Sequence, residues 1–283
     1  MGPVQYFLGV KVQQDLDKGM VWMGQTSYTE SILHQFGMSD SKSVRSRVNP
    51  SIKLSKATDE STLFDSEKYQ SAVGKLLFLA TRTRPDIAFA VSNVAKYTSN
   101  PTEQHWKAVK HIFRYLAGTI NYGLLYTKEE SLKCLGYSNS DWVGDLDDQK
   151  SISGYGFLVG GALVSWRSCK QTCVALSTSE AEYMALSSTA QEAVWIRQLL
   201  SEIKRESPQM ILMYEDNQSA ICLSKNPQYH GQSKHIDIKY HYIRDQVKDG
   251  IIDMIADMMT KGLHGDQFEK LRKMAGVKAI NKT

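Results

Sequence analysis

Two acidic residues in the second half of the chain stand where an enzyme could use them. Asp216 follows a short apolar segment, 210–214, that predicts a buried strand, and the carboxyl end of such a strand often carries a site. Glu182 lies near the start of a long predicted helix, 178–204. An acid on a buried helix face is costly unless a cation or hydrogen bonds hold it. We therefore expect both carboxylates to be functional, with a helix-capping role as the alternative for Asp216.

Helical geometry distinguishes Glu182 from its neighbour Glu180. Alternating steps of four and three from Glu182 give a mainly apolar row, which is typical of a face that packs on a sheet. That row contains Leu186, Thr189, Ala193, Ile196, Leu200 and Ile203. The same steps from Glu180 give a mostly polar row, so Glu180 is expected to face solvent or to interact with the helix dipole.

Two further acids complete the candidate set. Period-two alternation places Asp141 on the same face of a predicted strand as Asn139. Asp257 lies near the start of a predicted final helix, 253–274, where a dipole-stabilising role is the alternative. Carboxylates that converge without Cys or His suit Mg²⁺, or Mn²⁺, better than zinc. Two such ions support hydrolysis of a phosphodiester.

The order of predicted elements indicates an α/β fold for the second half. Three consecutive strands are predicted over 132–142, 151–163 and 164–172, followed by the long helix, the strand 210–214 and helices over 217–224, 234–249 and 253–274. This order is typical of a mixed sheet with helices packed on it.

The first half is predicted to be mainly helical. A hairpin is expected over 6–13 and 20–25, with helices over 26–37, 66–81, 85–97 and 103–116. Residues 39–62 show no periodicity and predict an exposed loop or arm. A short charged stretch, 128–131, marks the expected boundary between domains 1–127 and 132–283.

Composition excludes several classes of protein. Hydrophobic residues make up 42% of the chain and charged residues 23%, which is typical of a globular protein. No apolar stretch is long enough to span a bilayer and no signal-peptide pattern is present, so we expect an intracellular protein without membrane contacts, in cytoplasm or nucleus. The four cysteines lack zinc-ligand spacing and are expected to be reduced thiols.

The net positive charge of the chain comes from its first half. Residues 1–130 carry 16 Lys and Arg against 12 Asp and Glu, whereas residues 131–283 carry 18 of each. In the predicted helix 103–116, Lys107, Lys110 and Arg114 lie on one side and could follow a phosphate backbone. The alternative is the solvated face of an amphipathic helix.

Several short motifs occur in a fixed order along the chain. Those of the second half are Gly136-Tyr137-Ser138-Asn139-Ser140-Asp141-Trp142, Ser153-Gly154-Tyr155, Glu180-Ala181-Glu182-Tyr183, Asp216-Asn217-Gln218-Ser219-Ala220, Lys234-His235-Ile236 and Ala256-Asp257-Met258. Those of the first half include Tyr6-Phe7-Leu8-Gly9-Val10, Thr83-Arg84-Pro85-Asp86-Ile87 and Arg114-Tyr115-Leu116. Together they resemble the Pol polyprotein of Ty1/copia-type retrotransposons, in the part that holds the end of the reverse transcriptase and the ribonuclease H domain.

The resemblance implies a fold, a substrate and a set of ligands. It implies a ribonuclease H-like mixed sheet with flanking helices, preceded by a reverse-transcriptase remnant from the palm end and the thumb or connection. The family's metal ligands fall on Asn139, Glu182, Asp216 and Asp257, of which the first is not an acid. Asp141, two residues further along the strand, is the nearest substitute. RNA–DNA hybrid is the implied substrate, and Lys234 and His235 join the candidate nucleic-acid-binding residues.

The sequence also departs from the family pattern. The polymerase Tyr-x-Asp-Asp turn is absent, so polymerase activity is not expected. The segment 250–252 runs directly into the predicted final helix, which suggests that an edge strand is missing and that Asp257 is displaced. Two hypotheses follow: Mg²⁺-dependent hydrolysis of the RNA strand of RNA–DNA hybrids, or a catalytically impaired polyprotein fragment that only binds nucleic acid. Other segments of the polyprotein are expected as further partners.

Overall fold

The computed structural model describes residues 3–49, 53–128, 133–225, 234–256, 269 and 272–279. The chain divides into two units. The first contains residues 1–130, 160–163 and 263–283, and the second contains residues 131–159 and 164–262. None of the helices formed by the described residues is long and apolar enough to cross a membrane.

The first unit contains a sheet of five strands in the order β1-β2-β3-β4-β10. The strands are β1 (Tyr6–Phe7), β2 (Val10–Asp15), β3 (Met20–Gly24), β4 (Tyr122–Thr127) and β10 (Val277–Ala279), and each neighbouring pair is antiparallel. The predicted hairpin is confirmed by β2 and β3. Strand β10 lies at the end of the predicted second domain, 132–283, yet it pairs with β4 in the first sheet.

The helices of the first unit follow the predicted positions closely. They are α1 (Thr26–Gln35), α2 (Ser66–Arg82), α3 (Ala88–Ala95) and α4 (Glu103–Ala117), with a 3-10 turn at Pro85–Ile87 before α3. Helix α4 begins with a reciprocal cap in which the Thr102 hydroxyl accepts from the His105 backbone and the His105 ring binds the Thr102 backbone. The apolar faces of these helices form the core of the unit.

The described residues of the segment 39–62 form the predicted loop, which is mostly exposed but is attached to α4 rather than extended as an arm. Helix α4 binds it through backbone carbonyls: Arg114 Nε donates to the carbonyl of Lys42 at 2.8 Å, and the His111 ring lies 2.9 Å from the carbonyl of Ser46. Leu54 is buried in the same core as α4. Main-chain carbonyls are present in every residue, so this kind of attachment leaves no periodic pattern in the sequence.

A buried ion pair connects the start of α3 with the end of α4. The guanidinium of Arg84 donates to both carboxylate oxygens of Asp86, at 2.9 and 2.8 Å, and to the backbone and hydroxyl oxygens of Thr119. The Tyr115 hydroxyl donates to Asp86 at 2.7 Å. Burial alone would raise the pKa of Asp86, but Arg84 and Tyr115 outweigh it and hold this pKa below its usual value.

Asp86→Asn should destabilise the first unit strongly. The substitution leaves the Arg84 guanidinium buried without a counter-charge, which typically costs about 3–5 kcal/mol. Urea unfolding of the variant and of the wild-type chain measures this difference. Asp40→Asn, at an exposed position, is the matched control and should change the free energy of unfolding by less than about 0.5 kcal/mol. Equal stability of the Asp86 variant and the control would contradict the assigned role.

The second unit contains a mixed sheet of five strands in the order β7-β6-β5-β8-β9. The strands are β5 (Leu135–Asp141), β6 (Ile152–Val159), β7 (Ala162–Lys170), β8 (Ile211–Glu215) and β9 (Ile252–Ala256). Strand β5 is antiparallel to β6 and parallel to β8, and β8 is parallel to β9. Helices α5 (Thr178–Lys204), α6 (Gln218–Lys225) and α7 (Lys234–Lys248) connect the later strands.

Strand β9 corrects two predictions. The edge strand is present, and the segment 253–256, predicted as the start of a helix, is extended and pairs with β8. Gly250 ends the preceding helical turn with a φ of +65°, and Ile252 and Met254 then alternate into the core. The displacement expected for Asp257 rested on a missing strand, and Asp257 itself lies outside the described residues.

Helix α5 packs on the sheet through the row that the sequence indicates. Leu186, Ala193 and Ile196 of this row are buried in the core of the second unit, and Thr189 is buried as well. The row ends earlier than predicted, because Ile203 is 69% exposed. A helix of 27 residues is about 40 Å long and extends past strands of five to nine residues, so its last turn has no sheet beneath it.

Candidate metal centre

Three carboxylates converge where α5 crosses the carboxyl end of β8. Glu182, Glu215 and Asp216 each offer an oxygen, and these oxygens all lie within 4.8 Å of one another. Glu182 is 7% exposed and Glu215 is fully buried at 0%, whereas Asp216 is half-buried. Glu182 and Asp216 are the pair that the helical row and the strand end predicted, and Glu215 was not predicted.

The first turn of α5 fixes the position of Glu182. The Ser177 hydroxyl accepts from the backbone N–H of Glu180 and caps the helix. The Glu180 carboxylate accepts from the backbone N–H of Leu176 at 2.7 Å, so the helix holds the loop that precedes it. Of the two placements predicted for Glu180, solvent exposure is wrong, since it is only 5% exposed, whereas its position in the first turn of α5 agrees with the helix-dipole alternative. Its hydrogen bond turns it toward Leu176, and it is not among the three converging acids.

Alternation along β8 places Glu215 on the face that α5 covers. Ile211, Met213 and Glu215 are buried, whereas the intervening residues are half-buried. Gly136 pairs with Met213 on the neighbouring strand, and a Cβ at Gly136 would lie 2.8 Å from the Phe157 ring. Continuing this register by two residues brings Ser138 beside Glu215, on the same face.

The family resemblance implies an acid at its first ligand position, and this chain has the exposed amide of Asn139 there. Asn139 and Asp141 are exposed, and neither belongs to the group of converging carboxylates in the described part of the chain. The pairing of β5 with β8 ends at Tyr137 and Tyr214, so Asn139 lies two residues past its last pair, near the strand end that Asp216 follows. Alternation along β5 places the side chain of Asn139 on the face opposite to Ser138. The charge of Asp141 still reaches Glu182 and contributes to raising its pKa.

Several buried oxygens at the site have no hydrogen-bond partner among the described residues. They are Glu182 Oε2, Glu215 Oε2 and the hydroxyl oxygens of Ser138 and Ser140. Buried polar groups are normally satisfied, and carboxylate and hydroxyl oxygens are donors that hard divalent cations prefer. The residues present therefore fit Mg²⁺ or Mn²⁺.

Burial and neighbouring carboxylates raise the pKa values of the two buried glutamates. Burial raises the pKa of Glu182 to about 9, and the charges of Glu215 and Asp216 add to this effect. Burial likewise raises the pKa of Glu215 to about 8, with a partly opposing contribution from the backbone N–H of Asn217. A divalent cation would reverse both shifts by favouring the ionised carboxylates.

The metal-free protein should lose stability as pH rises from about 5 to about 9. Both glutamates have a usual pKa of 4.5, so in this window the folded state retains protons that the unfolded state has lost. The stabilisation is complete below 4.5 and disappears as pH passes through the folded pKa values of about 8 and 9.

Urea unfolding in EDTA across this pH range measures the effect. The double variant Glu182→Gln/Glu215→Gln should show a flatter dependence, because its amides do not titrate. An identical pH dependence in wild type and double variant would show that these glutamates are not the titrating groups.

A cavity in the second unit is distinct from this site. It has a volume of about 190 Å³ and is lined by residues that include Cys134, Leu135, Met210 and Ile211. These residues lie at or near the amino ends of β5 and β8, whereas the acids lie at the carboxyl end of β8. The cavity contains none of the converging carboxylates, so we place no chemistry there.

The candidate nucleic-acid-binding residues differ in exposure and in hydrogen bonding. Lys107 is exposed and Lys110 is half-buried, whereas Arg114 donates to the carbonyl of Lys42. The side chains of Lys234 and His235 lie outside the described residues. The role of all five in binding nucleic acid stays a prediction.

Comparison with known proteins decides the family. No family model matches the chain. It is 38% identical over 290 residues to the retrovirus-related Pol polyprotein from transposon TNT 1-94 of Nicotiana tabacum, and 37% identical over 285 residues to that from transposon RE1 of Arabidopsis thaliana. Each alignment covers 98% of this chain. The chain belongs to the Pol polyproteins of copia-type transposons. This Pol segment spans 22% and 19%, respectively, of the length of those two relatives.

A solved structure is similar in fold. The foamy viral protease-reverse transcriptase, in a complex with double-stranded DNA, matches with a TM-score of 0.53 and 15% identity over 92% of this chain and 38% of that chain. Its likeness concerns the fold alone. The second unit of the Pol segment has the ribonuclease H-like fold, in which β5 is antiparallel to β6 on one side and parallel to β8 on the other.

Proposed function

We propose that the second unit of this Pol segment hydrolyses the RNA strand of RNA–DNA hybrids and uses Mg²⁺ or Mn²⁺. The observation that supports this most directly is the approach of three carboxylates to within 4.8 Å, with buried oxygens that lack partners. Such an arrangement is costly without a cation and suits a hard one. When bound, the ion supplies positive charge that activates water and stabilises the charge developing on the phosphate.

The chain's own residues then have separate tasks. Glu182 and Asp216 would hold the cation from two rigid elements, α5 and the end of β8. Asn139 would offer its amide oxygen to the cation or its N–H groups to the substrate, without adding charge. Asp257 follows Ala256, which pairs with Glu215 at the end of β9, and we retain it as a proposed ligand. The basic residues of α4 would contact the phosphate backbone of the hybrid.

A non-catalytic segment that only binds nucleic acid is the second candidate function. The observation that favours it is the neutral, exposed side chain at position 139, where the family resemblance implies an acid. Asp141 does not replace that acid within the converging group. Under this alternative the chain would bind hybrids without metal-dependent cleavage.

Removal of either predicted ligand should abolish most cleavage. Glu182→Gln and Asp216→Asn retain shape but remove the charge that holds the cation, so hybrid cleavage in Mg²⁺ should fall by at least about a hundredfold. Glu202→Gln, on an exposed part of α5, removes a carboxylate outside the site and should cleave like wild type. Cleavage is measured on a labelled RNA–DNA hybrid, with duplex DNA as a substrate control. Absence of cleavage by the wild-type chain in both Mg²⁺ and Mn²⁺ would leave the binding-only function.

Asn139→Asp should raise cleavage at low Mg²⁺, by roughly tenfold. One added negative charge near a divalent ion contributes several kcal/mol even at an effective dielectric of about 20, and repulsion among the acids offsets part of it. A Mg²⁺ titration of cleavage by the variant and the wild type measures the shift. Superimposable titrations would show that the wild-type site already has the charge it needs.

A further inference from the structure

The carboxylate of Glu215 has no counterpart among the residues that the family resemblance assigns to the metal. We propose that Glu215 is a direct ligand of the cation and supplies the negative charge that Asn139 lacks. The proposal rests on the proposed function for the identity of the ion alone. It concerns binding of the cation rather than cleavage of RNA.

The environment of Glu215 is that of a core residue, yet its side chain is an acid. It is fully buried and follows Ile211 and Met213 on the face of β8 that packs against α5. An apolar residue would continue this pattern. No Lys, Arg or His among the described residues forms an ion pair with Glu215 or with Glu182. Two adjacent buried acids without a cationic side chain call for another source of positive charge.

The two oxygens of Glu215 have different surroundings. Oε1 accepts from the backbone N–H of Asn217 at 3.3 Å, which orients the carboxylate. Oε2 is buried and has no partner among the described residues, and the same is true of Glu182 Oε2. The Ser138 hydroxyl, on the same face, is near enough to lower the pKa of Glu215, but it forms no hydrogen bond of normal geometry with Oε2. One oxygen held by the protein and one left open is the arrangement expected of a metal ligand with its supporting hydrogen bond.

The count of charges supports the same conclusion. The family resemblance implies an acid at position 139, on the face of β5 opposite to Ser138, and this chain has an amide there. Glu215 delivers a carboxylate to the same strand end from the face beneath α5. With Glu182 and Asp216 the site again has three converging carboxylates. A cation bound by Glu215 would therefore lie closer to α5 than a cation bound by an acid at position 139.

Direct titration with Mn²⁺ tests this proposal without reference to cleavage. Isothermal titration calorimetry on the full chain compares wild type, Glu215→Gln, Glu182→Gln and Glu202→Gln. We expect Glu215→Gln to weaken Mn²⁺ binding at least about tenfold, as Glu182→Gln does, because each removes a full charge at contact. Glu202→Gln should bind like wild type. In the double variant Asn139→Asp/Glu215→Gln the added carboxylate should recover part of the affinity.

Stability in EDTA separates loss of a ligand from loss of the fold. Glu215→Gln should unfold at the same or a higher urea concentration than wild type, since it replaces a buried acid by a neutral side chain of the same shape. If this variant does not fold, the wild-type chain provides the test through ¹³C-labelled glutamate carboxyl groups. Paramagnetic Mn²⁺ should then broaden the Glu215 and Glu182 signals together and leave Glu202 sharp.

Wild-type affinity for Mn²⁺ in a folded Glu215→Gln variant would overturn the proposal, as would a Glu215 signal that stays sharp or a wild-type chain that binds no Mn²⁺. Loss of Mn²⁺ binding in Glu215→Gln, together with a wild-type chain that does not cleave hybrids, would support the ligand and refute the proposed function. Hybrid cleavage by the wild-type chain, together with unchanged Mn²⁺ binding in Glu215→Gln, would support the proposed function and refute Glu215 as a ligand.

Discussion

The cost of burying Glu182 of α5 against Glu215 of β8 is the constraint on which the second unit depends. Both carboxylates are withdrawn from water, and the charge of Asp216 raises the pKa of both, while that of Glu215 also raises the pKa of Glu182. No cationic side chain in the described part of the chain forms an ion pair with either glutamate, so the fold must either keep the acids protonated or bind a cation. The neutral forms are favoured without metal, so metal binding and proton release are coupled at this site.

The surrounding helix and strands fix the positions of both acids. The Ser177 cap and the bond from Leu176 to Glu180 fix the first turn of α5, and the pairing of β8 with β5 and β9 fixes the strand end. Gly136 leaves space for Phe157 and Met213, so the helix packs closely on the sheet. Because the elements are rigid, the glutamates cannot swing into solvent at low cost, and the site is preorganised.

The sequence predicted what depends on local periodicity and missed what depends on tertiary contacts. The row through Glu182 and the strand before Asp216 were sufficient to bring these two acids together. The burial of Glu180 was missed because its partner is a backbone N–H in the preceding loop, which helical periodicity does not reveal. The segment 253–256 was assigned wrongly because four residues show too little periodicity, and pairing with β8 decides their conformation. Glu215 could have been found, since alternation from Ile211 and Met213 places it on the buried face.

The pairing of β10 with β4 has a consequence for how the chain folds as it is made. Val277 pairs with Leu124, so the two strands are separated by about 150 residues of sequence. At synthesis rates of about 5–20 residues per second, these residues take roughly eight to thirty seconds to make, and β4 lacks this neighbour until then. During that time its backbone N–H and C=O groups on that side form an open sheet edge, available to other nascent chains. Completion of the first sheet is thus a late, non-local event, and a chaperone that covers β4 would act in this interval.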